Sequence, residues 1–99
     1  MRITLTVALV LQAIARGHRY GFEIVDVTGY PTGTVYPVLR RLERTGYVRS
    51  RWEAERDAFS EARPQRRYYE ITAAGSRALS AAVDRLTMLG AVPKPRTSR

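Results

Sequence analysis

The most informative segment of the chain is Pro31-Thr32-Gly33-Thr34-Val35-Tyr36-Pro37-Val38-Leu39-Arg40-Arg41-Leu42-Glu43-Arg44-Thr45-Gly46. Its apolar residues recur at helical spacing and predict a short amphipathic helix. Gly46 is a candidate for the left-handed residue that ends it. The predicted buried stripe consists of Val35, Val38, Leu39 and Leu42. At about 100° per residue, the opposite side carries Gly33, Tyr36, Pro37, Arg40 and Arg44, with Arg41 at its edge.

Pro37 limits where this helix begins, because proline lacks the amide that an interior turn uses. Thr32 and Thr34 are both candidate N-caps. With Thr34 as the cap, Pro37 becomes the third helical residue, where the missing donor costs little. We therefore expect Pro37 to lie in the first turn.

The outward arginines have two interpretations. Isolated surface arginines are most often solvated charge. Here, small residues at the helix start permit close approach to a phosphate, and arginines one turn apart reach base edges or neighbouring phosphates. This combination favours a nucleic-acid recognition helix.

Composition points to an anionic partner. The 99 residues carry a net charge of +8, and sixteen of the seventeen cationic side chains are arginine, the residue suited to bidentate phosphate and guanine contacts. Residues 40–67 contain nine arginines and five acids. We expect one small domain, residues 1–91, followed by a disordered basic tail, residues 92–99.

Catalysis and metal binding are not indicated. The chain has no cysteine and one histidine, His18, so it lacks the usual catalytic or metal-ligating sets. We expect no enzyme activity, no metal and no cofactor. The absence of cysteine is compatible with a cytoplasmic protein. Arg2, the apolar run from Ile3 and Ala13-Ile14-Ala15 imitate a secretory signal, but Thr4, Thr6 and Gln12 interrupt that run.

Two helices are predicted before the recognition segment. The first, within residues 5–14, is apolar nearly all round, so we expect it to be buried on more than one side and only partly covered by one chain. The second spans Tyr20 to Val27 and ends at Gly29. We expect Phe22, Ile24 and Val25 to face inward. Thr28 to Thr32 then form the tight connection of a helix-turn-helix.

A β-hairpin and a last helix are predicted after Gly46. Residues Tyr47 to Trp52 and Arg66 to Thr72 alternate in polarity, as paired strands do. The connecting Glu53 to Gln65 is either a DNA-facing wing or a flexible tip, in which Phe59 would pin the loop to the domain. Trp52, Tyr68 and Tyr69 fit hairpin packing better than a base-stacking platform.

The last helix begins at Thr72, a candidate N-cap. It carries a narrow apolar stripe, which is typical of a helix–helix seam. The first and last helices would then each leave an apolar surface that a domain of this size cannot bury by itself. This favours a homodimer. The expected dimer contacts are Leu5, Leu9, Leu79, Ala82, Val83, Leu86 and Leu89.

Several motifs, in order, resemble the PadR family of bacterial transcriptional regulators. They are Gly33-Thr34-Val35-Tyr36-Pro37-Val38-Leu39-Arg40-Arg41-Leu42-Glu43, Gly46-Tyr47-Val48, Ser50-Arg51-Trp52-Glu53, Arg66-Arg67-Tyr68-Tyr69-Glu70-Ile71-Thr72 and Gly75. The resemblance extends from about Val7 to about Leu89, and the short linker at Thr28 to Thr32 indicates a compact branch. It implies an α+β, mostly α fold: a winged helix-turn-helix of three helices, a two-stranded wing and a C-terminal dimerisation helix.

The resemblance implies a double-stranded DNA-binding transcriptional regulator, expected to be a repressor, that acts as a homodimer on a palindromic operator. Whether a small-molecule effector binds is left open. The recognition-helix contacts would be Thr32, Gly33, Thr34, Tyr36, Pro37, Arg40, Arg41 and Arg44. The other DNA contacts would be Tyr20, Arg63, Arg66 and Arg67, with Arg49 and Arg51 as weaker candidates. The alternative is a basic RNA-binding or ribosome-associated protein.

Overall fold

The computed structural model describes residues 1–90, which form five helices and a two-stranded antiparallel sheet. The elements are α1 Leu5–Ala15, α2 Gly21–Thr28, α3 Thr32–Thr45, β1 Val48–Trp52, α4 Glu55–Ser60, β2 Arg67–Ile71 and α5 Ala73–Met88. This order confirms the predicted winged helix-turn-helix. The predicted tail, residues 92–99, lies outside the described residues.

Helix α3 buries the predicted stripe. Val35, Leu39 and Leu42 are fully buried and Val38 nearly so, which anchors one side of the helix to the core. The helix ends at Gly46, whose φ of 86° is the left-handed conformation expected of a cap. The charged side of α3 is therefore held outward by burial of the opposite side.

The start of α3 differs from the prediction. Neither Thr32 nor Thr34 is the N-cap: the backbone N–H groups of Thr34 and Val35 donate to the carbonyl of Pro31, at 2.9 and 3.0 Å. The helix thus begins at Thr32, and Pro37 is an interior residue. Because Pro37 has no N–H to donate to the carbonyl of Gly33, one helical bond is lost. Gly33 is exposed, so water can replace that bond.

Helix α2 is turned differently from the prediction. Ile24 is fully buried, but Phe22, which we expected to face inward, is 71% exposed. Gly21, Ile24 and Val25 share one side of this short helix, and Phe22 lies about 100° round from Gly21. Gly29 ends the helix with a φ of 75°, and three residues later α3 begins.

One chain covers more of α1 than we expected. Helix α1 packs against α2, α3, α5 and β2, and Val10 and Leu11 are fully buried. Among the large apolar side chains of this helix, Leu9 is exposed and Leu5 is half-buried. The apolar surface of α1 that this chain leaves uncovered is therefore confined to one edge.

The apolar stripe on α5 is not left entirely free for a second chain, because part of it packs within this one. Thr72 is the N-cap, as predicted, and its Oγ1 accepts from the Gly75 N–H at 3.1 Å. Ala82 and Leu86 belong to the chain's own core, because α5 packs against α1. Leu79 and Val83 are half-buried, and Leu89 is exposed.

Gly75 permits the close approach of α5 to the strand region. A Cβ there would lie 2.9 Å from the carbonyl carbon of Tyr47 and from Cγ1 of Ile71, closer than real contacts allow. Gly75→Ala is expected to destabilise the fold by about 2 kcal/mol, because overpacking against rigid backbone outweighs the helix propensity gained by alanine.

The control is Gly33→Ala in α3, where a Cβ meets open space among residues 1–90. That change is expected to stabilise by up to about 1 kcal/mol. Urea denaturation midpoints measure both effects. Equal stability of the two variants would contradict the proposed contact.

The wing contains an unpredicted helix. Strand β1 begins one residue later than predicted and ends at Trp52 as predicted, and β2 is one residue shorter than predicted at each end. The strands pair in the register Val48↔Ile71 to Trp52↔Arg67. The connecting loop folds into α4, whose buried residue is Ala58. Phe59 is 87% exposed, so the expectation that it pins the loop is wrong.

Candidate nucleic-acid interface

The outer side of α3 is an exposed cationic surface. Arg40, Arg41 and Arg44 are exposed, as are Thr32 and Gly33 at the helix start. Within residues 1–90, these three arginines form no ion pair with an acid. Their guanidinium groups are therefore free to bind an anion.

Tyr36 has a packing role that the sequence did not reveal. Its ring lies directly over Gly21 of α2, where a Cβ would be 2.5 Å from Tyr36 Cζ. Tyr36 and Pro37 are half-buried, as is Thr34. Glycine at position 21 thus allows α2 and α3 to approach, and Tyr36 remains only partly exposed to solvent.

Arg63 is paired with a buried acid. Its two terminal nitrogens donate to the two carboxylate oxygens of Glu53, at 2.6 and 2.7 Å. Glu53, 6% exposed, also accepts from the Tyr68 hydroxyl at 3.1 Å and the Arg66 N–H at 3.2 Å. A buried carboxylate needs such partners, so Arg63 closes the base of the wing loop.

This pair was not predicted from the sequence, in which Arg63 was assigned to DNA and Glu53 had no role. The available signal was weak: an acid at the end of a predicted strand, with an arginine across the loop. Pairing across a loop of unpredicted shape does not follow from spacing.

The pair has a testable pH dependence. The Arg63 hydrogen bonds lower the pKa of Glu53 from its ordinary 4.5 to about 2. Since the folded-state pKa is depressed, the pair stabilises the fold fully above about pH 4.5, and that contribution is lost as the pH falls toward 2. Urea midpoints measured between pH 7 and pH 2 should fall more for the wild type than for Glu53→Gln, which should be less stable at pH 7. Parallel profiles would contradict the assignment.

Tyr20 and Arg66 belong to a stack of aromatic rings and guanidinium groups. The Arg66 guanidinium lies 4.0 Å from the Tyr20 ring centroid, and Tyr20 meets Tyr68 edge-on with centroids 6.0 Å apart. Arg51 and Arg19 lie 5.1 and 5.4 Å from the Tyr68 centroid. Such contacts stabilise cations over rings, so this stack fastens α2 to the wing.

Arg67 connects the wing to α3. Its Nε donates to Ser50 Oγ at 2.9 Å, and a terminal nitrogen lies 3.3 Å from Glu43 Oε2. The guanidinium also lies 5.3 Å from the Trp52 ring, and Trp52 is largely exposed at the wing rather than packed in the core. On the other side of the hairpin, Arg49 pairs with Glu70 at 2.9 Å.

Comparison with known proteins identifies the fold and the family. The sequence model of the Transcriptional regulator PadR-like family matches residues 10–81. The chain belongs to this family. Among curated protein sequences, none matches the chain significantly. The PadR-like assignment therefore rests on the family match, and solved structures support it.

Solved PadR-like and related structures share the fold. A Streptococcus transcriptional regulator is 26% identical, with a TM-score of 0.69 over 86% of this chain and 84% of its own. A PadR family transcription regulator from Clostridium difficile R20291 is 20% identical, with a TM-score of 0.76 over 89% of this chain and 93% of its own. Bacillus subtilis PadR, solved in complex with operator DNA, is 17% identical, with a TM-score of 0.71 over 97% of this chain and 53% of its own.

Across residues 1–90, each helix is too short or too polar to cross a bilayer.

Proposed function

We propose that this PadR-like regulator binds double-stranded DNA in a sequence-specific manner, as a homodimer on a palindromic operator, and represses transcription where that operator overlaps a promoter. The observation that carries the proposal is the outer side of α3, on which Arg40, Arg41 and Arg44 are exposed and have no acidic partner within residues 1–90. The DNA complex of Bacillus subtilis PadR supports the same class of partner.

The geometry of α3 suits the major groove. Its inner side is fixed by the core, so the outer side keeps one orientation. Arginine donates two parallel hydrogen bonds to guanine O6 and N7, and arginines spaced by four residues, such as Arg40 and Arg44, lie one helical turn apart. We propose that Arg40 and Arg44 read bases and that Arg41 neutralises a phosphate.

The start of α3 supplies a second kind of contact. The exposed Thr32 and Gly33 leave room for close approach to a phosphate, and a helix N-terminus attracts negative charge. Thr34, Tyr36 and Pro37 are half-buried, and we assign them edge contacts at this end. Tyr20 and Arg66 form the adjoining flank, where the stacked guanidinium keeps donors for a phosphate.

Arg63 is left out of the proposed surface. Its donors are committed to Glu53, whose carboxylate would lose its partner if Arg63 turned toward DNA. The acids Glu55, Asp57 and Glu61 are exposed on and beside α4, which keeps the tip of the wing away from phosphates.

The proposed dimer uses the apolar side chains that one chain leaves uncovered. Leu9, Met88 and Leu89 are exposed, and Leu5, Leu79 and Val83 are half-buried. A twofold pairing through α1 and α5 would cover this surface and set two α3 helices roughly 34 Å apart, one turn of DNA. Ala82 and Leu86 support α5 from within the core.

The test is selection from a random duplex library, followed by a footprint on the DNA upstream of the chain's own gene. We expect one palindromic motif whose half-sites are centred about 10 bp apart. Competition with single-stranded RNA separates this proposal from RNA binding, because salt sensitivity is common to both. RNA that displaces the selected duplex at equal concentration would contradict the proposal.

A further inference from the structure

We propose that Glu43 determines specificity by holding Arg67 away from DNA phosphates, which lowers the affinity of the protein for DNA in general. This inference rests on the proposed function. An acid on a DNA-recognition helix repels the phosphates it approaches, so the position of Glu43 on α3 calls for a compensating role. Its contacts with the wing supply one.

The contacts fix both side chains. Glu43 Oε2 accepts from the Ser50 hydroxyl of β1 and lies 3.3 Å from a terminal nitrogen of Arg67 on β2. Arg67 Nε donates to the same Ser50 hydroxyl at 2.9 Å. The guanidinium lies 5.3 Å from the Trp52 ring centroid. Glutamate, serine and indole thus hold the Arg67 guanidinium on three sides.

The Glu43–Arg67 ion pair lies near the proposed DNA surface, and its two charges neutralise each other. The Arg67 and Glu43 side chains are 40% and 33% exposed, so both lie at the surface between α3 and the wing. An exposed ion pair alone contributes little to stability. The ion pair instead changes the electrostatic potential at the protein surface. While Glu43 binds Arg67, the arginine adds no unpaired positive charge there.

Withholding one arginine has a direct effect on specificity. Affinity for any duplex rises with each phosphate that a free cation neutralises, whatever the sequence. What governs occupancy of an operator is the ratio of specific to general affinity. A chain of net charge +8 gains specificity when its flanking cations are paired internally and the base-reading arginines of α3 remain free.

The experiment measures binding to a scrambled duplex of about two turns by fluorescence anisotropy across a salt series. It compares wild type, Glu43→Ala, Arg67→Gln and the double variant. Glu70→Ala is the matched control, since it removes the same charge and releases Arg49 on the other face of the hairpin. Circular dichroism confirms that each variant is folded.

We expect Glu43→Ala to bind roughly fivefold more tightly than wild type, with the salt slope steeper by about 0.9, the value for one added phosphate contact. Glu70→Ala should produce a smaller increase. Arg67→Gln should remain within about twofold of wild type with an unchanged slope. The double variant should bind more tightly than Arg67→Gln by well under fivefold, because the Glu43 charge is lost but no arginine is released.

Two results would overturn the inference. If Arg67→Gln alone lowers the affinity and makes the salt slope shallower by about 0.9, Arg67 already contacts a phosphate. This comparison remains valid even if Glu43→Ala fails to fold. An equal gain from Glu43→Ala with and without Arg67 would assign the effect to the carboxylate charge alone. If wild type binds no duplex, the proposed function itself fails, which is a distinct outcome.

Discussion

Replacing both Arg40 and Arg44 with alanine is expected to abolish preference for the operator while the fold stays intact. Both side chains are exposed on α3, opposite the buried stripe of Val35, Leu39 and Leu42, so their loss leaves the core unchanged. A bidentate base contact contributes roughly 1–3 kcal/mol of discrimination. Losing both contacts should reduce operator preference by roughly two orders of magnitude or more.

The measurement is a gel-shift titration on the selected operator and on a scrambled duplex. Arg77→Ala on α5, which removes one exposed arginine outside the proposed interface, shows the effect of losing one positive charge; the double variant loses two. Arg77→Ala should weaken both duplexes slightly and equally. If the double variant keeps its preference with an unchanged melting temperature, α3 does not read the operator through these residues.

Leu89→Glu is expected to yield a folded monomer with much weakened operator binding. Leu89 is 71% exposed at the end of α5, so a charge there is tolerated in one chain and is costly in an apolar dimer interface. In a twofold interface the change counts twice, and burying one leucine is worth roughly 1.5–3 kcal/mol. The dimer dissociation constant should rise by about 100-fold or more.

Leu86→Glu provides a contrasting variant on the same helix. Leu86 is 6% exposed within the core, so a buried carboxylate there should unfold the chain rather than separate two folded chains. Light-scattering mass over a dilution series, with circular dichroism, distinguishes the two results. A wild type that is monomeric at micromolar concentration yet binds its operator tightly would contradict the dimer proposal.

Local chemistry explains what the sequence predicted well. The stripe on α3, the glycine caps at Gly29 and Gly46 and the Thr72 N-cap depend on periodicity and on backbone preferences within one element. Such local patterns can be recognised in a single sequence.

The errors arose where tertiary contacts decide the outcome. Phe22 is exposed because Gly21 admits the Tyr36 ring and sets the rotation of α2. Arg63 turns inward because Glu53 is buried, and the helix α4 sets the loop geometry that brings the two together. Pro37 lies inside α3 because the first turn closes on Pro31. None of these contacts leaves a periodic signature in the sequence.

The central claim is that α3 reads the major groove, and dimethyl sulfate interference on the selected operator tests it most directly. The reagent methylates guanine N7 in the major groove and adenine N3 in the minor groove. We predict that methylated guanines in two half-sites, one DNA turn apart, prevent binding, and that Arg40→Ala or Arg44→Ala removes this sensitivity at matching guanines. Interference confined to adenine N3, or binding unaffected by guanine methylation, would contradict the account.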